Sequence, residues 1–242
     1  MAINVSNVKP VSTSTSLQAW AIHTVVLESF SYNFNEKNKS GTDSHVYDFK
    51  FSNDNGSYTA RFFCPVGSEE MKKGGVRQIM EGNDYASPSE EEQFVHNIRH
   101  IVSAFGDNMV ERVDKYYAKH DPTASKLEFE AFGNGLIKLL GECNAEKPEL
   151  ELKLIGNKDN YARTPGILGI KKDGTIFIKD NYVAKKENSK LAFTAKQMEA
   201  KAKIEAGIGG RKTDMRKLDD DDNVGAGTTA GAKQMDFDVD EI

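Results

Sequence analysis

Nine cations and three aromatic rings carry the chemistry that this sequence most clearly offers. Lys50, Arg61, Lys158, Arg163, Lys171, Lys172, Lys179, Lys185 and Lys186 are spread over segments that also hold Tyr161, Phe177 and Tyr182. Cations that track phosphates, with rings on which bases stack, are what a single-stranded polyanion requires; a stacked base contributes about 1 to 3 kcal/mol. A lysine taken alone is an ordinary solvated residue, so the argument rests on the interleaving of charge with rings. Phe177 reads equally as a core residue.

Other constellations carry less. His96 and His100 lie four apart on an expected helix with Glu92 one turn earlier, a spacing that can reach one metal. No third histidine and no HExxH pattern accompanies them, so a packed or solvated helix face is the reading and no metal or other cofactor is expected. Gly207 to Thr213 echoes a phosphate loop, but Arg211 stands where a glycine should precede Lys212, and the segment follows a polar helix instead of a strand. Cys64 and Cys143 are far apart and offer neither a disulfide framework nor metal spacing, and Cys64 closes an apolar strand, which suits burial. No arrangement of nucleophile, base and acid stands out, so the expectation is a protein that is not an enzyme.

The charge is unevenly placed. The chain of 242 residues is −5 overall, yet Asp219 to Ile242 holds eight acids against the single base Lys233, a net −7 that leaves +2 for residues 1 to 218. Lys171 to Lys217 carries thirteen Lys or Arg and six Asp or Glu. A basic face beside an acidic tail points to a polyanion partner and a tail able to compete for the same surface. The last eight residues alternate acids with apolar side chains: Asp236, Phe237, Asp238, Val239, Asp240, Glu241 and Ile242 read as a partner-binding peptide, carboxylates to steer and apolar groups to dock. The sequence shows no apolar run of membrane-spanning length and no signal-peptide pattern, so neither a membrane partner nor export is expected.

The elements that must position these residues follow from periodicity. Residues 1–16 read as a flexible arm. His23 to Asn35 alternates Phe30, Tyr32 and Phe34 with Ser29, Ser31 and Asn33, as a half-buried strand does. Val46 to Phe51 and Ser57 to Phe63 flank Asn53 to Gly56, a hairpin signal; Tyr47, Phe49 and Phe51 share one face with Tyr58, Ala60 and Phe62, and Lys50 and Arg61 share the other. Gly67 to Ser87 reads as an irregular excursion with at most a short helix. Three helices are expected after Pro88, over 90–105, 109–120 and 127–140. Strands return at Leu150 to Ile155, with Glu151 and Lys153 on the polar side, and at Ile167 to Ile170 and Thr175 to Ile178 around an Asp-Gly turn. Phe193 to Ala206 is helix-prone, and 207–242 reads as disordered linker and tail.

Strands, then helices, then strands is the order of an OB-like five-stranded barrel. The expected class is mainly β with a helical insertion (α+β): an OB-like domain over 17–206 with a long insert, 67–145, between strands 3 and 4. This order, the basic late strands and the apolar-tipped acidic tail together resemble a bacteriophage-type single-stranded DNA-binding protein. Leu152 to Gly169, with Asn157, Tyr161, Pro165 and Gly166 between strands, is also similar to the late-strand region of such proteins. The resemblance spans Val25 to Asp180 in topology and Met235 to Ile242 in motif. The chain ends in Ile242 where bacterial and some phage members end in Phe.

The resemblance implies binding and protection of single-stranded DNA during replication and recombination in the host bacterial cytoplasm, with the tail recruiting replication proteins such as a polymerase or helicase. The insert would serve dimerisation, giving a homodimer, or simply extra core. Two alternatives stay open: a phage virion or assembly protein with an acidic docking tail, and a single-strand annealing protein.

Overall fold

A computed structural model describes residues 16–37, 43–67, 75–80, 83–106, 108–157, 159–171 and 175–206. The chain divides into two compact units: one built from residues up to Asn157 together with Tyr161–Ala192, and one that includes Phe193 onward. Among the described residues, no helix is long and apolar enough to cross a membrane.

The first unit is built on β1 (Ala21–Lys37), a 17-residue strand with two partners. Its first part, Ala21 to Val25, pairs antiparallel with β6 (Leu150–Gly156), and Val26 onward pairs antiparallel with β2 (Asp43–Asn53). β2 continues through the turn at Asn53 to Gly56 into β3 (Gly56–Phe63) in the expected hairpin, with Gly56 at φ 153°. The register places Tyr47 opposite Phe62, Phe49 opposite Ala60 and Phe51 opposite Tyr58. All but Tyr58 are buried, as the alternation requires. The ladder order is β10-β6-β1-β2-β3, where β10 is Val183–Lys185, and the short β7 (Ala162–Arg163) also pairs with β6.

The excursion after Gly67 differs from the irregular loop expected: it holds a two-stranded hairpin, β4 (Gly75–Met80) and β5 (Asn83–Ser87). Three helices follow where periodicity placed them: α1 (Glu90–Ser103), α2 (Met109–Lys119) and α3 (Lys126–Cys143). α1 starts at a capping box in which the Ser89 hydroxyl accepts from the Glu92 amide and the Glu92 carboxylate accepts from the Ser89 amide.

These helices supply Phe94, Ile98, Phe129, Phe132 and Leu136 to the core formed by the aromatic face of β2. The Tyr47 hydroxyl, fully buried, donates to the Phe129 carbonyl at 2.6 Å. Helices therefore cover the apolar face that strand alternation suggested would line a barrel. Gly133 and Gly135 do not weaken α3 where it matters, because each is a notch: a Cβ at Gly133 would lie 2.5 Å from the Tyr32 ring, and one at Gly135 2.7 Å from the Tyr116 ring.

After β7 the chain forms a further hairpin, β8 (Leu168–Ile170) with β9 (Ile176–Ile178), before β10. The second unit holds α4 (Ala195–Glu205), capped by Thr194, whose hydroxyl accepts from the Gln197 amide at 3.2 Å.

Candidate nucleic-acid interface

The twelve candidate ligand-binding residues fall into four groups: cations already paired, exposed residues of the β6–β9 segment, one buried ring, and two lysines outside the described residues. On the outer face of β1–β3 the cations are already neutralised. Lys50 donates to Glu28 at 2.8 Å. Arg61 sits opposite Asp48 in the ladder and grips its carboxylate with two nitrogens, at 2.9 and 2.7 Å, while a third reaches Glu36 at 2.9 Å. The hydrogen bonds to Asp48, strengthened by the charges of Asp48 and Glu36, hold the guanidinium above its ordinary range, and the bond from Lys50 lowers Glu28. Fork geometry of this kind satisfies arginine internally and leaves little of it for a phosphate. Lys185 and Lys186, at the end of β10, are likewise paired, with Glu187 at 3.0 Å and Glu149 at 2.8 Å.

The segment from β6 to β9 is different. Tyr161 is 71% exposed at the tip of the connection between β6 and β7, which is closed by the Asn157 amide donating to the Tyr161 carbonyl at 3.0 Å. The Asn157 side-chain oxygen accepts from the Tyr161 amide at 2.8 Å, and Asn160 takes the left-handed conformation at φ 60°. Arg163 follows in β7, opposite Ile155, and is exposed. The next amide, of Thr164, donates to the Tyr58 hydroxyl at 3.0 Å, which ties this segment to β3.

Lys171 and Lys179 close the two ends of the β8–β9 hairpin: the Lys171 amide donates to Thr175 at 2.9 Å and the Lys179 amide to Ile167 at 2.8 Å. Both side chains are exposed, and Phe177 between them is 41% exposed. Arg163, Lys171 and Lys179 form no ion pair among the described residues. Gly166 lies three residues beyond Arg163, and the stem of Lys179 passes 4.0 Å from the position of a Cβ there, so Arg163 and the hairpin belong to one stretch of surface, within about 11 Å of chain.

One expected ring is corrected. Tyr182 is fully buried, its hydroxyl donating to Asn97 of α1 at 3.0 Å, and its ring meets His100 edge-on at 4.6 Å. It is a core residue with no face to offer a base. Lys158, Lys172 and the tail residues Asp236, Phe237, Asp238, Val239, Asp240, Glu241 and Ile242 lie outside the described residues.

Periodicity also missed a buried polar cluster around Lys153 of β6. Lys153 was expected on the polar side of β6, yet it is 1% exposed. Its Nζ donates to the Asp180 carboxylate and, at 2.8 Å, to the Ala192 carbonyl. The reason is non-local: the strap from Asp180 to Ala192 pairs with β6 through β10, its two end residues both reach the Lys153 Nζ, and the Lys153 amide donates to the Tyr182 carbonyl. His100 faces the same strap. Its Nε2 accepts from the amides of Tyr182 at 3.1 Å and Val183 at 3.3 Å, and burial, helped by Lys153 and opposed by Asp180, brings it down to about 4. His100 is thus a backbone acceptor, turned away from any site shared with His96. No group of three or more potential metal ligands occurs among the described residues.

The arrangement offers binding chemistry: exposed Tyr161 and Phe177 lie in the same β6–β9 stretch as Arg163, Lys171 and Lys179, which form no ion pair among the described residues. Compared with protein families, curated proteins and solved structures, the chain matches none of them.

Proposed function

We propose that this chain binds single-stranded DNA without catalysing a reaction on it, and that the β6–β9 segment is the contact surface. The observation that carries the reading is the coincidence, on one short stretch, of exposed Tyr161 and Phe177 with Arg163, Lys171 and Lys179, all three uncommitted to ion pairs among the described residues. Rings accept unstacked bases of any sequence, and cations that have no internal partner can exchange their counterions for phosphates.

The ladder order supports an OB-like reading of the sheet. A long first strand shared between β2 and β6 gives the order of a five-stranded Greek-key barrel opened between β3 and β10. The Thr164–Tyr58 bond crosses the side on which such a barrel would close. In this reading the −7 tail competes weakly for the same cations and recruits replication proteins through Phe237, Val239 and Ile242.

Anisotropy titration of labelled oligo-dT with the full chain, alongside a duplex of equal length, tests the proposal. Binding of oligo-dT should exceed that of duplex and fall with salt at a log–log slope of about −0.7 per phosphate contact. Absence of oligo-dT binding by folded protein at about 50 mM salt, where such contacts are strongest, would refute it.

A further inference from the structure

Within the β8–β9 hairpin, Gly169 stands directly opposite Phe177. Directly paired residues of an antiparallel ladder share a face, and so do residues two apart on each strand. Lys171, two beyond Gly169, and Lys179, two beyond Phe177, therefore lie on the face that carries the Phe177 ring, one on either side of it. Two residues of strand span about 6.7 Å, so the two lysines are separated by about 13 Å along the hairpin with the ring midway.

The ring does not stand away from the sheet. A Cβ added to Gly169 would lie 2.6 Å from Cζ, 2.9 Å from Cε1 and 3.1 Å from Cε2 of Phe177. The outer end of the ring thus occupies the space that any other residue's side chain would need. One side of the ring is spent on the β8 backbone, while the side chain stays 41% exposed.

We infer that Gly169 and Phe177 form a one-sided shelf for a single unpaired base, with Lys171 and Lys179 receiving the phosphates that flank it. The inference rests on the single-strand-binding reading above and assigns roles within it. Phe177 touches the base. Gly169 is a positioning residue: it makes no contact with DNA and acts by leaving room for the ring to lie down. Because only one side of the ring is free, the shelf takes one base and cannot insert between two. A glycine covered by a cross-strand ring also stabilises a hairpin, so the test must separate that role from DNA binding.

A double-mutant cycle does so, with oligo-dT affinity and melting temperature measured for every variant. Gly169→Ala and Phe177→Leu should each weaken oligo-dT binding about tenfold, within the range for removing one stacking ring. The double variant should bind about as Phe177→Leu alone does, since without the ring a methyl at 169 displaces nothing. Phe177→Tyr, whose ring can lie in the same place, should stay within about twofold of the parent.

Multiplied losses in the double variant, or unchanged affinity in Gly169→Ala, would overturn the shelf while leaving single-strand binding intact. If Gly169→Ala does not fold, the Phe177→Leu and Phe177→Tyr pair decides, and equal affinity of the two overturns the inference. Failure of the folded parent to bind oligo-dT would overturn both this inference and the function on which it rests.

Discussion

The outer face of β1–β3 and the β6–β9 segment both present basic residues on an antiparallel ladder, and they use them in opposite ways. On the first, Arg61 is gripped by Asp48 and Glu36 and Lys50 by Glu28, so the charges cancel within the protein. On the second, Arg163, Lys171 and Lys179 are exposed in the stretch that holds the exposed rings and form no ion pair among the described residues, and Asp180, next to Lys179, is paired with Lys153. A count of lysines and arginines, two against three, would not reveal this difference. What separates them is whether a carboxylate meets the cation: on the first face one does, and at Arg163, Lys171 and Lys179 none does among the described residues, which under the proposed function leaves these three for phosphates.

The largest effect lies at the buried Lys153–Asp180 pair, whose acid adjoins Lys179 in the chain. Lys153→Met removes the cation facing the buried Asp180 carboxylate and the donor to Ala192, and losing one partner of a buried pair costs about 3 to 5 kcal/mol. Melting temperature should fall by about 10 °C. Hydrogen exchange should accelerate first between Asp180 and Val183. Unchanged exchange there would mean that the salt bridge does not hold the Asp180–Val183 segment against β6.

A somewhat smaller effect comes from His100. The unfolded chain takes up a proton near the ordinary histidine value of 6.5, whereas folded His100 refuses it until about 4. Between those values the unfolded state binds more protons, so stability falls as pH falls, by about 3 kcal/mol over the whole window and not at all above it. Denaturation at pH about 7 and about 4.5 should show this loss in the parent. It should be reduced in His100→Gln, whose amide oxygen can still accept from Tyr182 and Val183 and does not titrate. An equal loss in both would remove His100 from the account.

The third comparison sharpens the contrast directly. Lys171→Gln with Lys179→Gln should weaken oligo-dT binding by about 50-fold at about 50 mM salt and reduce the salt slope by about 1.4, two contacts' worth. Lys50→Gln with Arg61→Gln should leave the affinity within about twofold. It should cost about 1 kcal/mol of stability or less, as exposed pairs do. If the β1–β3 variant loses as much affinity as the hairpin variant, the division of the two faces is wrong.

Much of this scaffold is legible in residue order because it depends on near neighbours. The Asn-Asp-Asn-Gly turn and the alternation of Tyr47, Phe49 and Phe51 fix the β2–β3 hairpin and its buried face, and helical spacing of Phe94, Ile98 and Ile101 fixes α1. The capping pair Ser89 and Glu92 was available as a further local signal for the start of α1. The β4–β5 hairpin was not legible, because its strands lack the apolar alternation by which a strand is read.

The sequence by itself determined which residues could carry charge and rings, and where the β2–β3 hairpin and the helices lie, since propensity, periodicity and turn chemistry act over a few residues. Only the tertiary structure decided which of those residues remain available. Arg61 meets Glu36 from 25 positions away, Lys153 meets Asp180 from 27 and Tyr182 meets Asn97 from 85. The first spends the charge of the candidate Arg61, the last buries the candidate Tyr182, and the Lys153 contact buries a residue that alternation placed on the polar side of its strand. No local pattern encodes them, because burial and pairing depend on which segments the fold brings together, and the energy of a charge depends on that surrounding more than on its own position in the chain.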